Sequence, residues 1–404
     1  MNAAFEKLGI DEKKLESLDN YIIKHYETSR PTTSSIAIQD HFFAEFNDFI
    51  RSKQTTEFLK QRNCEAVDVL PFGSRMTHLA TDNSDFDVCV SLKMIDDKGE
   101  RCITLPTLTY IYNNFCLTDE WKTKLSNLTF IKTAKVPIIT GKLGTISIDI
   151  SVQVGPNPPP SYLATYMING CCQHDPRIAP LCVFFKKWTR SMYNNGGIWP
   201  ETSIPNSYAT TLLILHVMQL YGIVPNVCIS YFEKFDPTIV KWVDLKNVDI
   251  KYPMTKNELD RFNRIKVKNN ECSLAVIAIV VLDYFANLDN LENMVIDVKT
   301  GEYSKRSKVT ELKETGLVIR DPYDRLNPAR RVKNLTRFQN IFRVLLAKIQ
   351  HFDGDTNIEG IFLKHSLDEK LDENGHPIPY LAPLPPKISA EFLQKPFELN
   401  NRYL

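Results

Sequence analysis

Phe72-Gly73-Ser74 is followed, after ten residues, by Asp85-Phe86-Asp87-Val88-Cys89-Val90. Residues at i and i+2 of a strand point to one face of a sheet. Asp85 and Asp87 therefore share a side, and Phe86, Val88 and Val90 take the other. Thr145-Ile146-Ser147-Ile148-Asp149-Ile150-Ser151-Val152 alternates in the same way. It sets Asp149 with Thr145, Ser147 and Ser151, opposite a row of Ile146, Ile148, Ile150 and Val152. If the two strands pair, three carboxylates converge on one polar patch, a hard-oxygen site suited to Mg²⁺ or Mn²⁺. Gly73-Ser74, a small turn carrying a hydroxyl, stands just upstream, where phosphates could bind. Two ions about 3.5–4 Å apart would clamp the attacking and leaving oxygens of a phosphoryl transfer. An Asp-x-Asp pair alone is commonly a solvated strand face. Its combination with the turn and a third acid points to metal.

The chain has 404 residues, 43% of them hydrophobic and 24% charged, with a net charge of +1. That length suggests two or three domains, each able to bury a core. The charge balance excludes a basic coat for nucleic acid, so RNA contacts must come from local patches. Met1 to Tyr21 lacks the apolar core of a signal peptide. The longest apolar run, Leu274 to Leu282, is too short to span a bilayer. No membrane association is expected. The nine cysteines are scattered without CxxC spacing, which suggests reduced thiols in an intracellular, cytoplasmic protein. Cys171, Cys172 and His174 lack a fourth ligand at a spacing that zinc would need.

Residues 11–30 and 35–62 read as helices. The second carries a stripe of Ile36, Ile38, Phe42, Phe43, Phe46, Phe49 and Ile50. Residues 104–125 read as partly helical. Three short strands follow at Phe130 to Lys132, Val136 to Ile139 and Thr145 to Val152, punctuated by Gly141 and Gly144. The proline cluster at residues 156–160 halts regular structure, and beyond it the pattern turns helical. Ile178, Leu181, Cys182, Phe185 and Trp188 follow helical spacing. Ser207 to Tyr221 is an apolar helix that Asn206 or Ser207 caps. Residues 274–288 and 340–349 are further helices. Five prolines between His376 and Lys387 mark an extended tail.

Phe72-Gly-Ser, Ser84-Asp-Phe-Asp, the Asp149 strand, Asn206-Ser-Tyr208 at a helix start and Asp321-Pro-Tyr-Asp…Asn327-Pro-Ala-Arg330 together resemble the DNA polymerase β-like terminal nucleotidyltransferases. More narrowly, they resemble the poly(A) polymerases and terminal uridylyltransferases that lack an RNA-recognition domain. The resemblance spans roughly residues 35–350. It implies an α+β fold: a catalytic palm of a small mixed sheet with helices, and a mostly helical central domain, with a cleft between them. The expected divisions are N-terminal helices at 1–60 packing on the central domain, the palm at 61–160, the central domain at 161–372 and a Pro-rich tail at 373–404.

Roles follow from the same resemblance. Asp85, Asp87 and Asp149 would be catalytic and would hold two Mg²⁺ or Mn²⁺ ions, Asp149 also helping to deprotonate the RNA 3′-hydroxyl. Gly73 and Ser74 would meet the triphosphate. Lys186 and Arg190, four apart on a helix, would neutralise phosphate charge; similar enzymes have Lys at both places. Ser207 would bond near the γ-phosphate, Tyr208 would stack on the base, and Asp324 and Asn327 would contact the base edge. Each has a plainer reading: a solvated face for Lys186 and Arg190, core for Tyr208, a helix cap for Ser207, and a turn for Asp324 and Asn327. Ala164 falls near the place of a ribose-binding Asn, for which Asn157 or Asn169 could substitute. Lys132, Lys135, Lys142, Arg330 and Arg331, with Arg325, Lys333 and Arg337, are candidate RNA contacts through phosphates.

The activity implied is template-independent addition of nucleotides from an NTP to an RNA 3′ end. Uridine-selective relatives often have His where this chain has Asn327, which weakens strict UTP selectivity; the resemblance implies A by default, with G or mixed U and G as alternatives. No RNA-recognition module is visible, so a recruiting protein partner is expected. Competing readings are a 2′–5′ or cyclic oligonucleotide synthase of the same superfamily, and a pseudoenzyme scaffold in an RNA-processing or RNA-silencing complex.

Overall fold

The computed structural model describes residues 8–94, 101–134, 136–154, 159–194, 204–221, 223–224, 272–298, 301–306, 313–324 and 326–351. They fall into two compact units. One lies within residues 29–173, the other within 8–28, 174–224 and 272–351. The expected tail at 373–404 lies outside the described residues.

The first unit is built on a five-stranded sheet of β1 (Cys64–Phe72), β2 (Phe86–Met94), β3 (Leu125–Ile131), β4 (Ile138–Leu143) and β5 (Ile146–Val154), in the order β1-β2-β5-β4-β3. β2 and β5 run parallel, and every other pairing is antiparallel. One face is the core. Phe86, Val88, Val90 and Leu92 of β2, and Ile146, Ile148, Ile150 and Val152 of β5, are buried there, as their alternation predicts. α2 (Thr33–Arg51) and α4 (Arg101–Ile111) supply the facing layer. Phe42 meets Trp121 of α5 (Asp119–Lys124) edge-on at 5.2 Å, and Phe46 meets Phe115 at 5.1 Å. Such pairs add about 0.5–1.5 kcal/mol each beyond the area they bury.

Several expectations are corrected here. The helix read over 35–62 is two helices, α2 and α3 (Lys53–Lys60). Ser52 is extended at ψ 151° and its hydroxyl accepts from the Thr55 N–H, so it ends one helix and caps the next. Phe42, Phe46 and Ile50 form the buried stripe, whereas Ile36 and Ile38 are 37% and 45% exposed. β1 is a strand that the sequence reading did not anticipate. α6 (Pro160–His174) groups with the sheet, so the units divide after Gln173 and not near residue 160. The segment 1–60 is itself divided. α1 (Glu12–Ser29) groups with the helical unit, while α2 and α3 group with the sheet that buries their aromatic side chains.

The second unit contains α1, α7 (Ile178–Asn194), α8 (Ser207–Leu220), α9 (Leu274–Asn287) and α10 (Leu335–His351). Ile178, Leu181, Cys182, Phe185 and Trp188 of α7 are all buried. α9 is buried along nearly its whole length, so the polar groups at its ends need protein partners. Asp19 of α1 accepts from the Ala275 N–H at 2.6 Å. At the other end, Gln339 donates to the Leu288 carbonyl at 2.7 Å and Arg343 to the Ala286 carbonyl at 2.9 Å. A small sheet not expected from the sequence, β6 (Met294–Asp297), β7 (Glu302–Lys305) and β8 (Ile319–Arg320), joins these helices in the order β7-β6-β8. An Arg320–Asp297 ion pair at 2.6 Å ties β8 to β6. Among the described residues, no helix is long and apolar enough to cross a membrane.

Candidate active site

The non-core face of the five-stranded sheet carries the acids. β1 ends at Phe72, and Gly73 turns the chain at φ +78°. Two constraints require glycine there. The positive φ penalises a side chain, and a Cβ would collide with Oδ2 of Asp87. The Gly73 N–H donates to Thr165 Oγ1 of α6 at 2.8 Å, and a tight turn follows at Ser74–Met76. Arg75 in that turn pairs with Asp40 of α2 at 2.8 Å. Its guanidinium lies 5.9 Å from the ring centroid of Phe86.

Strand pairing then assembles the site. Phe72 is opposite Asp87, Asp87 opposite Asp149, Asp149 opposite Thr140 and Thr140 opposite Thr129. These five residues form one row across all five strands. Asp85 immediately precedes β2 and is exposed; Asp87 and Asp149 are half-buried. The row behind the acids includes buried Cys89 and Ser151. Burial pushes the Cys89 thiol up to about 11, so it is an inert wall and not a nucleophile. Asp149 is held above the ordinary carboxylate range, first by burial and further by the negative charge of Asp85. The Thr140 side chain on the facing strand works against both.

Among the described residues, no three His, Cys, Asp or Glu side chains are gathered into a ready-made set of metal ligands. Cys171 and Cys172 are buried thiols outside any disulfide. The three aspartates stand as an open patch on one face, not as a closed cage. That donor set still fits a small hard cation, which keeps waters and binds through few carboxylates together with phosphates. The crowding of Asp149 by the charge of Asp85 is what a cation at the patch would relieve.

The predicted nucleotide-binding residues from Lys186 to Asn327 fall in the helical unit, and the candidate RNA contacts are divided between the two units. Lys186 on α7 is 8% exposed and engaged within the protein, which corrects its reading as a solvated face. The Arg190 side chain, Lys135, Arg325 and Asn157 lie outside the described structure. Asn206 caps α8, accepting from the Ala209 N–H at 2.7 Å, and Ser207 is exposed in the first turn. Tyr208 is half-buried in the first turn of α8, and burial holds the Asp321 carboxyl above its usual range. Asp324 is exposed and accepts from the Leu326 N–H at 3.2 Å. The Asn327 side chain is largely spent on its own loop. Its oxygen accepts from Ile319 and Ala329 N–H groups at 3.1 and 2.9 Å, and its nitrogen donates to the Leu317 carbonyl at 2.8 Å. Ala164 and Asn169 are buried in α6. Lys132 and Lys142 are exposed on the β3–β4 side, with the Lys132 ammonium 4.9 Å from the Phe130 centroid. Arg330 and Arg331 are exposed in the other unit. Sequence reasoning missed Thr165, Arg75 and Thr140. Thr140 could have been found by extending the strand through Gly141.

A mixed sheet that sets two acids in register, with a third beside them and a glycine turn against one of them, defines a nucleotidyltransferase palm. A family model described as the central palm domain of mitochondrial-like poly(A) RNA polymerase matches residues 18–155. The chain is 24% identical over 285 residues to human poly(A) RNA polymerase GLD2, covering 67% of this chain and 52% of that protein. It is 25% identical over 285 residues to poly(A) RNA polymerase cid13 of Schizosaccharomyces pombe, covering 68% and 45%. Against gld-2 of Caenorhabditis elegans it is 23% identical over 241 residues, spanning only 20% of that longer protein. The fold resembles the solved GLD-2/RNP-8 complex at a TM-score of 0.64 and 16% identity, covering 86% of this chain and 98% of that one. It resembles Cid1 bound to its short product ApU at 0.57 and 17% identity, covering 85% and 97%. Residues 18–155 thus match the palm of the poly(A) RNA polymerases, the chain is similar in sequence to proteins of that name, and its fold is that of the solved GLD-2 and Cid1 structures.

Proposed function

We propose that this protein adds nucleotides, without a template, from an NTP to the 3′-hydroxyl of RNA. The observation that carries the reading is the register pairing of Asp87 with Asp149, beside Asp85 and against the Gly73 turn. In the proposed reaction the RNA O3′ attacks the α-phosphorus in line, a new phosphodiester forms, and pyrophosphate leaves. Asp85, Asp87 and Asp149 would hold two divalent ions, Mg²⁺ or Mn²⁺. When bound, these supply Lewis-acid stabilisation of the charge that develops on the attacking and leaving oxygens. The Asp149 carboxylate, whose proton affinity is raised by burial, is suited to accept the proton of the 3′-hydroxyl. The Gly73 turn lets the triphosphate approach the backbone, with Ser74 offering its hydroxyl. Lys186, Arg190, Ser207, Tyr208, Asp324 and Asn327 keep their assignment as nucleotide-binding residues. The hydrogen-bonding of Asn327 favours a supporting part for it in shaping the loop. Lys132, Lys135, Lys142, Arg330 and Arg331 are the proposed RNA contacts.

Similarity to poly(A) RNA polymerases supports ATP as substrate, and likeness to the Cid1 poly(U) polymerase supports UTP. Mixed U and G belongs to the same proposal. A protein partner is proposed by analogy with the GLD-2/RNP-8 complex, as is a cytoplasmic setting by analogy with a cytoplasmic RNA terminal U-transferase. The test is extension of an end-labelled RNA primer with Mg²⁺ and each NTP singly, then in pairs, beside Asp85→Ala. Metal-dependent 3′–5′ extension that Asp85→Ala lacks is expected. Products joined 2′–5′, or no NTP turnover with any RNA or partner, would overturn the reading.

A further inference from the structure

We propose that Asn206 is a positioning residue for the nucleotide: its side chain fastens the loop that carries Asp324 and Asn327 to the helix start that carries Ser207 and Tyr208. The inference rests on the nucleotide-binding roles proposed above for those residues and deepens that reading.

The Asn206 side chain both accepts and donates. Its Oδ1 accepts from the Ala209 N–H at 2.7 Å, and its Nδ2 donates to the Pro328 carbonyl at 3.3 Å. The first bond settles the second: only the amide oxygen can receive an N–H, which leaves the amino group toward Pro328. Pro328 is buried, and a buried backbone carbonyl needs a donor. The loop around it is closed on itself. The Leu317 N–H donates to the Val332 carbonyl at 2.9 Å, and the Asn327 amide joins Leu317, Ile319 and Ala329. Asp321 Oδ1 accepts from the Tyr323 and Asp324 N–H groups at 2.8 and 2.9 Å. A loop braced in this way shifts as a piece, so a tether at one point governs where Asp324 stands. The Arg320–Asp297 pair anchors it to β6. Asn206 anchors it to α8, next in sequence to Ser207 and Tyr208. Asn206 is itself exposed, so its contribution lies in these bonds and not in core packing. Loss of the tether lowers the fraction of time that loop and helix start are set for one ligand, and apparent affinity falls by that fraction. Asn206 touches no nucleotide in this account.

The experiment separates the cap from the tether in the full-length protein. Asn206→Ser and Asn206→Asp both keep a side-chain oxygen to cap α8, and both lose the donor to Pro328. Serine is neutral, so it excludes simple repulsion between a new carboxylate and the triphosphate. Thermal melts, hydrogen exchange of residues 317–332, binding of fluorescent ATP and UTP analogues, and primer extension are measured on wild type and both variants. Both variants should melt close to wild type and exchange faster across the loop. They should bind the analogues about three- to tenfold more weakly, with KM for the NTP rising and kcat nearly unchanged. Wild-type affinity and exchange in the serine variant, beside an active wild type, would overturn the inference and leave the nucleotidyltransferase reading standing. Weaker binding by the aspartate variant alone would overturn it too, by showing charge repulsion only. A wild type that neither binds nucleotide nor extends RNA would overturn both.

Discussion

Asp87 and Asp149 are register partners in the parallel β2–β5 pairing, so two residues 62 positions apart in sequence (149 − 87) stand side by side on one face of the sheet. Asp149 is held above the ordinary carboxylate range by burial and by the negative charge of Asp85, so its ionised form opposes folding. Asp149→Asn should therefore reduce RNA extension by at least about a hundredfold while leaving the thermal midpoint at pH 7 unchanged or higher. Retained tailing with normal product length, scored on a sequencing gel, would refute the three-acid site.

Gly73→Ala tests the contact between the turn and the acids. The substitution places a Cβ against Asp87 Oδ2 at a positive φ. The backbone term alone costs about 1–2 kcal/mol. Displacing Asp87 by a fraction of an ångström should cost up to about a hundredfold in kcat. Chemical denaturation and steady-state extension read the two effects separately. A variant with wild-type kcat would show that Asp87 is not fixed by this turn.

Asn327→Ala separates a loop role from base reading. The amide serves two backbone N–H groups and one carbonyl. Its removal should cost roughly 2–4 kcal/mol through groups left unsatisfied. A stable variant with altered NTP preference, measured by competition between ATP and UTP, would return Asn327 to the base edge.

His216 should impose a pH dependence on stability. It is fully buried on α8, with Nε2 3.1 Å from the Tyr284 hydroxyl. Burial pushes its pKa down to about 4, against a smaller opposing pull from Asp297. The folded value lies below the unfolded one near 6.5. The stability it contributes is therefore present above pH 6.5 and is lost as pH falls toward 4, on the order of 3 kcal/mol in all. Asp19, Asp149 and Asp321 are shifted upward and act in the opposite sense, so the informative quantity is the difference between wild type and His216→Leu. That difference should shrink between pH 7 and pH 4.5 in melts. Parallel curves would show that His216 does not titrate between the two states.

The legible parts of the fold were those with a buried period. β2 and β5 announce themselves because one face of each is continuous core, and a half-buried strand alternates for that reason. α7, α8 and α9 are equally plain, since each buries a long apolar surface. β1 was hidden because Glu65 and Asp68 flank a register irregularity and Pro71 sits near its end. The break at Ser52 was hidden because a single cap residue outweighs a hydrophobic stripe that runs on past it. β6, β7 and β8 were missed because strands of two to four residues are too short to show a period. Gly316 could not be read as special either. Its want of a side chain is demanded by the Val332 carbonyl, with which a Cβ would collide.

Of the site, the three acids and the Gly73 turn were visible as residue types at telling spacings, because carboxylates on the polar side of a strand carry their chemistry wherever the strand is placed. Their company was not visible. That Asp87 faces Asp149, that Thr140 stands opposite Asp149, and that Thr165 receives the Gly73 N–H all depend on which registers and which helix the folded chain selects. Register is decided by burying Ile146, Ile148, Ile150 and Val152 against α2 and α4. A slip of one residue would turn every acid into the core. Local alternation is short-range and is written along the chain. The choice of neighbour is long-range, made by the packing of segments far apart in sequence, and exists only once they have met.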